Sequence, residues 1–476
     1  MGPPSGRPPP RADPIESRMD THDKIRAGKA TIGIVGLGYV GLPLARRSVA
    51  CGFPTIGLDT DERKIGSIRD GRSYIKHIPD SDVQGMLDGG FEVSSDFAEA
   101  MPRCDALLIC VPTPLDRMRE PDLSYVEDTT RTIARHLRPG QLVVLESTTY
   151  PGTTRDVMQP ILESGGDPPL QPLRAEEHFL LAFSPEREDP GNPKYTIDNI
   201  PKVVGGVGPR SLEAAAALYD ALTDGQAVSV STAEAAEATK IVENIYRCVN
   251  IALVNELKVV FDAMGIDVHE VLEAADTKPF GFQKFTPGPG LGGHCIPIDP
   301  FYLSWKAREF GVPTRFIELA GEINTAMPEW VVNRTMLALN ERQRAVRGSR
   351  ILVLGLAYKP DVDDVRESPA LELIERLADL GAEVDYHDPH CPRTHKMRHH
   401  DLDMESLPDD GLYGTESGMG TYDCVLVATD HAWYDWDRVH DCVRLGKSQG
   451  VIVDTRNAVT DVMAVNLVGN AVVVKA

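Results

Sequence analysis

Cys295 sits in GLGGHCIPIDP (residues 290–300), with glycines before it, His294 beside it, prolines after it and Asp299 four residues on. Glycine loosens a backbone and proline removes a donor, so neither helix nor strand suits the stretch. A cysteine on such a loop reads either as a turn holding a small hydrophobe or as a nucleophile on the floor of a cleft. Lys240 and Asn244 are four residues apart in a helical pattern and share one face, with Glu237 a turn earlier. An ammonium and a carboxamide placed so could stabilise an oxygen that becomes negatively charged; the alternative is a lysine that snorkels to solvent. In ESTTYPGTT (146–154) an apolar strand ends in hydroxyls, Thr148 among them, and FSPERED (183–189) likewise ends an apolar strand with Glu186. Open α/β sheets bind ligands at such strand ends, although Thr153 and Thr154 could simply cap a helix and Glu186 could be an exposed glutamate.

GLGYVG (36–41) follows an apolar strand and precedes a helical stretch. Gly36 permits the tight turn, Gly38 lets a pyrophosphate approach the backbone, and Gly41 lets helix and strand pack closely, with Tyr39 and Val40 between. The helix N-terminus then offers unpaired N–H groups to phosphate oxygens. The next strand ends at Asp59, about 20 residues on, where a carboxylate accepts from both ribose hydroxyls and repels a 2'-phosphate. NAD is therefore favoured over NADP.

The elements needed to hold these residues are legible as a pattern. Residues 28–229 alternate short apolar strands with helices, which predicts a doubly wound parallel sheet of Rossmann type. Residues 230–345 form a central helical region. Its stretch 233–265 has no internal proline or glycine and predicts one long helix, with shorter helices and the cysteine loop after it. Apolar on more than one face, that helix should be a spine between domains and a contact in at least a homodimer. SRILVLGLAYKPDVDD then opens a second, smaller α/β domain over 346–476, which lacks a full dinucleotide fingerprint after its first strand.

The net charge of -22 disfavours nucleic acid and offers no basic membrane face. Eight scattered cysteines without a CxxC pair give neither a disulfide framework nor a zinc site, and suit a reducing, cytoplasmic setting. No apolar run reaches membrane-spanning length. The proline-rich start has no signal-peptide core, and residues 1–27 are expected to be a disordered tail. HDPHCPRTHKMRHH (387–400) carries five histidines without zinc-motif spacing, so no metal is called and a solvated loop is expected.

Taken together, GLGYVG, VPTP (111–114), EST (146–148), SPE (184–186), K-x-x-x-N (240–244), GGHC-x-x-x-D (292–299) and GLAYKPDVDDVRESPA (355–370) resemble the nucleotide-sugar 6-dehydrogenases of the UDP-glucose/GDP-mannose dehydrogenase family, over nearly the whole chain after the tail. The resemblance implies four-electron oxidation of a sugar C6 alcohol to the acid with two NAD per sugar, through a thiohemiacetal and a thioester on Cys295. It implies that Lys240 stabilises the alkoxide or oxyanion and that Asp299 and Thr148 position or deprotonate water. Asn244 would hold substrate and Glu186 would act in acid/base steps, while His294 is left to loop packing. Cofactor contacts would run through Gly36, Gly38, Tyr39, Val40, Gly41, Asp59, Lys64, Thr113 and Thr148. The second α/β domain would bind the UDP end, with Lys359, Arg456 and Gly292 at the substrate; Arg366 and Ser368 read as structural. Lys278 in DTKPFG stands where the UDP-glucose enzymes carry an arginine that reaches a neighbouring subunit's substrate, and lysine loses the bidentate grip. KPFGF…PGPGLGGHCIPIDPFYLSWKA is closer to the UDP-N-acetylglucosamine subgroup, with UDP-glucose and the N-acetylmannosamine and N-acetylgalactosamine donors as alternatives.

Two other classes compete. Two-electron 3-hydroxyacid dehydrogenases share the GxG domain and the Lys/Asn helix, but need no cysteine and no second α/β domain. A catalytically dead NAD-binding scaffold predicts loss of a reactive residue, and none is missing.

Overall fold

The computed structural model describes residues 20–76, 78–116, 120–165, 173–188, 194–293, 296–394, 400–409, 412–413, 422–443, 450–459 and 472–476. Cys295 and His294 therefore lie outside the described residues, as does the tail to residue 19.

The first domain carries β1 (Ile32–Val35), β2 (Thr55–Leu58), β3 (Glu92–Ser94), β4 (Ala106–Ile109), β5 (Leu142–Leu145), β6 (Leu180–Phe183), β7 (Lys202–Gly206) and β8 (Ala227–Ser229). Their order in the sheet is β3-β2-β1-β4-β5-β6-β7-β8. Every pairing is parallel except β6 with β7, which is antiparallel. Chain order reverses between β1 and β4, and Ile32 is in register with both Thr55 and Ala106. The loops after Val35 and Ile109 thus open side by side, at the switch point where such sheets bind ligands. Ile32 and Ile34 pack into one core, Val35, Leu107 and Ile109 into the other. Burial on both faces explains why these strands read as unbroken apolar runs.

The second domain has a five-stranded parallel sheet of β9 (Arg350–Leu354), β10 (Glu383–His387), β11 (Cys424–Val427), β12 (Val451–Asp454) and β13 (Val472–Lys475), in the order β10-β9-β11-β12-β13. Between the sheets runs the helix Ala233–Met264, capped at its start by the Thr232 side chain on Ala235 N–H and ended by Gly265 at φ 71°. The two Rossmann-like sheets and the long central helix are the architecture the sequence predicts.

Two local expectations are corrected. Thr21–Arg26 is a helix rather than tail: Ile25 is buried in the first domain's core, Thr21 bonds to the Gly140 carbonyl, and Lys24 pairs with Asp105 at 2.7 Å. One apolar side chain and one ion pair hold it, too little to show in composition. The helices after the spine are shorter than it, as the sequence predicts; the longest described, Arg315–Glu341, spans 27 residues with Pro328 inside. Residues 387–391 are not a solvated loop, since His387, Asp388 and Cys391 are buried at the end of β10.

The two long helices are pinned by buried amides. Asn255 Nδ2 donates to Asn324 Oδ1 at 2.9 Å, Asn324 Nδ2 donates to the Cys248 carbonyl at 3.1 Å, and Gly288 N–H donates to Asn255 Oδ1 at 3.0 Å. Asn324→Ala strands the Asn255 amide and should cost about 2 kcal/mol. A lowered urea midpoint with an unchanged slope is expected; an unchanged midpoint would remove the pair from the stability argument.

Candidate active site

The loops after β1 and β4, the ends of β5 and β6, the spine helix and the second domain enclose one cleft of about 1010 Å³. At one end stands the glycine turn. Gly36 has φ +93°, and a Cβ on Gly41 would lie 1.8 Å from the Gly36 carbonyl oxygen, so neither accepts a side chain cheaply. A Cβ on Gly38 would meet nothing within 4 Å, which leaves its backbone open to a ligand. Asp59 is buried beneath: Oδ2 accepts from Leu37 N–H at 2.8 Å and from Lys64 at 2.9 Å, and Oδ1 accepts from Asp61 N–H. Tyr39, Val40, Lys64 and Thr113 line the same end, and Tyr302 OH donates to the Thr113 carbonyl at 2.7 Å. These residues fit a dinucleotide: an open glycine backbone and a carboxylate held at the ribose position.

At the other end Thr148, Glu186, Lys240 and Asp299 line the cleft. Lys240 does not snorkel to solvent; its Nζ donates to the Glu186 carbonyl at 2.6 Å. Asn244 is fully buried, and its amide donates to Asp299 Oδ2 while its Oδ1 accepts from Arg247. Asp299 opens the helix Asp299–Glu309. Burial pushes its carboxyl up to about 7, against the opposing pull of the Lys240 charge, the Asn244 bond and the Arg247 charge. Gly293 and Ile296 bracket the undescribed Cys295. Gly293 has φ +83° and donates to the Arg366 carbonyl at 3.0 Å.

Glu186 is not an exposed glutamate. Its Oε1 accepts from Arg187 and Glu188 N–H, and its Oε2 meets Lys202 at 2.8 Å. Lys202 is fully buried and also bonds Glu146 at 2.7 Å, while Tyr219 OH donates to Glu146. Burial works to raise the Glu186 carboxyl, but the Lys202 charge and hydrogen bond, the Glu188 N–H and the Lys240 charge together hold it below the ordinary range. Lacking as many donors, Glu146 is raised by its burial. Glu188, which also faces the cleft, is pushed up to about 7 by burial and by the Glu186 charge.

The sequence reading missed Glu146 and Lys202, although a lysine opening the apolar strand KVVGG was a signal. It also took Arg366 as structural, whereas the guanidinium lies 5.1 Å from the Tyr39 ring and faces the cleft from the second domain. Lys359 and Arg456 lie outside the lining of this cleft. Arg456 abuts the glycine–proline loop, since a Cβ on Gly288 would come within 2.8 Å of its guanidinium, and Gly292 is pressed against Tyr358, Glu367 and Pro369. Lys278 is exposed, its ammonium 5.2 Å from the Phe280 ring.

A parallel sheet with a glycine turn and a ribose-side carboxylate, joined to a second nucleotide-type domain over a polar cleft, defines a nucleotide-dependent oxidoreductase. Sequence profiles of the UDP-glucose/GDP-mannose dehydrogenase family match in three parts: the NAD binding domain over 30–223, the central domain over 234–326 and the UDP binding domain over 352–461. The chain belongs to that family of NAD-dependent dehydrogenases. It is 32% identical over 430 residues to a UDP-N-acetyl-D-glucosamine 6-dehydrogenase of Pseudomonas aeruginosa, covering 89% of this chain and 96% of that one. It is 34% identical to an NDP-N-acetyl-D-galactosaminuronic acid dehydrogenase of Ralstonia nicotianae, covering 90% and 95%. The solved UDP-D-ManNAc dehydrogenase of Pyrococcus horikoshii superposes with a TM-score of 0.80 at 31% identity, covering 93% of this chain and 98% of that one. Among the described residues no helix is long and apolar enough to cross a membrane.

The Asp299 carboxyl supplies a test of the site's electrostatics. Its folded value of about 7 exceeds the unfolded value of roughly 3.9, so the folded state holds the proton more tightly. That contribution is complete below the unfolded value and is lost as pH rises through 7. Asp299→Asn should therefore be more stable than the parent at pH 8, by on the order of a few kcal/mol, with the gap narrowing towards pH 5. A gap that ignores pH in chemical denaturation would show that Asp299 titrates normally.

Proposed function

We propose that the chain oxidises the C6 alcohol of UDP-N-acetylglucosamine to the uronic acid, using two NAD per sugar. The observation that carries this is the single cleft running from the glycine turn and Asp59 to Thr148, Glu186, Lys240 and Asp299. The glycine turn of Gly36, Gly38 and Gly41 with Asp59 would hold NAD, which would supply the hydride acceptor for C6 in each of the two oxidations. In the first, Lys240 faces the alkoxide as the hydroxyl proton leaves, and Asp299 or its water takes that proton. Cys295 Sγ then adds to the aldehyde carbon, forming a C–S bond and a thiohemiacetal that cannot escape. Loss of the second hydride leaves the thioester. Water, positioned by Thr148 and Asp299 with Glu186 in acid/base support, adds to that carbonyl, and the C–S bond breaks to release carboxylate and thiol. The overall change consumes one water and releases three protons. Asn244 fixes Asp299 and the sugar together. Lys359 and Arg456 take the UDP end, Gly292 lets the substrate approach the loop, and Arg366 closes over the dinucleotide from the second domain.

The N-acetylglucosamine donor is favoured by the PGPGLGGHC segment. Relatives of similar identity named for the mannosamine and galactosamine sugars make those donors, with UDP-glucose, the comparison arm. A cytoplasmic setting is supported by the described cysteines, all of them unpaired. The spine helix leaves Val242, Tyr246, Leu253 and Met264 exposed, and Phe316 and Leu319 stand exposed on the second long helix. This face is the proposed homodimer contact, from which Lys278 would reach the neighbouring site.

Two NADH per UDP-N-acetylglucosamine are expected, with Cys295→Ser lowering turnover by at least roughly a thousandfold while NAD still binds. One NADH per sugar with an unaffected variant would make Cys295 a turn residue and the enzyme a two-electron dehydrogenase. On the oligomer, Leu253→Lys should halve the mass measured by light scattering; a parent chain already monomeric sinks the dimer.

A further inference from the structure

Asp361, His390 and His431 come from three separate turns of the second domain, far apart in sequence and together in space. One oxygen or nitrogen from each lies within 4.8 Å of the other two. Asp361 Oδ1 is 3.8 Å from His390 Nε2 and 3.9 Å from His431 Nδ1. We propose that these three side chains form a site for one divalent transition cation of the zinc type, in the cleft wall that the second domain contributes.

The histidine orientations point that way. His431 Nε2 lies 3.0 Å from Asp388 Oδ2, with both side chains fully buried, so Nε2 must donate. Its Nδ1 accepts Asp361 N–H at 2.9 Å and is therefore the unprotonated nitrogen, while Asp361 Oδ1 accepts Ala432 N–H at 2.9 Å and keeps a second lone pair for a cation. A carboxylate behind a histidine, setting the tautomer and aiming the other nitrogen, is the usual support of a metal ligand. His390 Nε2 is buried and has no hydrogen-bond partner among the described residues, and a buried polar atom left so calls for an explanation. Its ring packs 4.9 Å from that of His431, which fixes it in place. Asp361 holds φ +59°, a left-handed turn that returns its carboxylate towards both rings.

The dimensions are close to what the ion needs. Tetrahedral zinc with bonds of about 2.0–2.2 Å wants ligand atoms roughly 3.4 Å apart, so the two Asp361 pairs, at 3.8 and 3.9 Å, must contract by about half an ångström and the two histidine nitrogens, within 4.8 Å, must also draw together. His431 Nδ1 would exchange a main-chain N–H for the cation. Asp361 and His390 line the cleft, so a fourth position would open onto it. Asp363 and Asp364 beside them favour positive charge there, balanced in part by Lys76, which reaches across from the first domain to the His390 carbonyl at 2.6 Å and to Asp363 at 3.5 Å.

The probe is cobalt(II) alone, titrated into the full-length protein without cofactor or sugar, so the result stands apart from the dehydrogenase reading. One equivalent should bind with d–d absorption typical of nitrogen and oxygen ligands and no thiolate charge-transfer band. His390→Gln, which preserves bulk, and Asp361→Asn, which tolerates the left-handed turn, should each weaken binding by roughly tenfold or more. No bound cobalt, a thiolate band, or affinity unchanged in both variants would overturn the site.

Discussion

The polar groups buried along one face of the helix Ala233–Met264 must each find a partner, and those partners belong to every other part of the molecule. Glu237 accepts from Gly152 and Thr154 of the first domain, and Lys240 donates to the Glu186 carbonyl. Asn244 bonds Asp299 at the end of the cysteine loop. Asn255 bonds Asn324 on the second long helix, and Lys258 donates to the main-chain oxygen of Ala476 beside the second sheet. An unpaired polar group in such a place costs about 1–3 kcal/mol, more if charged. Five such groups on one rod fix the domains relative to it more sharply than apolar contact would, because hydrogen bonds are directional.

The same requirement sets the charges of the cleft. Lys202 is buried and stands between Glu146 and Glu186. Burial alone would drive its proton off, but the two carboxylates outweigh that and hold it charged. One cation cannot satisfy both carboxylates equally. Glu186 also receives two main-chain N–H groups and stays ionised; Glu146 has Tyr219 and is the one raised. Glu186, the carboxyl held lower of the two, is the one whose main-chain carbonyl holds Lys240. Removing Lys202 would strand both carboxylates, a loss of roughly 3–5 kcal/mol by the general behaviour of broken buried pairs, and would disturb the Glu186–Lys240 end of the cleft from below.

What the sequence revealed follows from period and composition. The spine helix was legible to within a residue because 32 positions without proline or glycine admit no other reading. The switch point was legible because GLGYVG and Asp59 mark it with residue types that have few other uses. Partnership between distant residues was not legible. Lys202 reads as a strand-edge lysine until β7 is placed beside β6 and under Glu146, and Ile25 reads as one apolar residue in a polar leader until it meets the first core. Arg366 shows the same limit from the other side: its company in VRESP is structural, and only the apposition of the domains brings it to Tyr39. Cys295 was singled out by its loop chemistry, and its place falls outside the described residues.

The two nucleotide-type domains use one device and part company over it. In each, a carboxylate at the end of the second strand accepts main-chain N–H groups from the turn after the first. Asp59 takes Leu37 N–H, and Asp388 takes Leu356 and Ala357 N–H. Asp59 has one further main-chain donor and Lys64, and it lines the cleft. Asp388 takes in addition His431, His390 N–H and Cys391 N–H, and it does not. Its oxygens are spent on the fold, and those donors, despite burial, hold the carboxyl well below the usual carboxylate range. A ribose would find no acceptor there. Ala357 and Pro360 at the second and third fingerprint positions and the saturation of Asp388 together leave the second domain without the features that fit a dinucleotide in the first. Its loops instead form the far wall of the first domain's cleft.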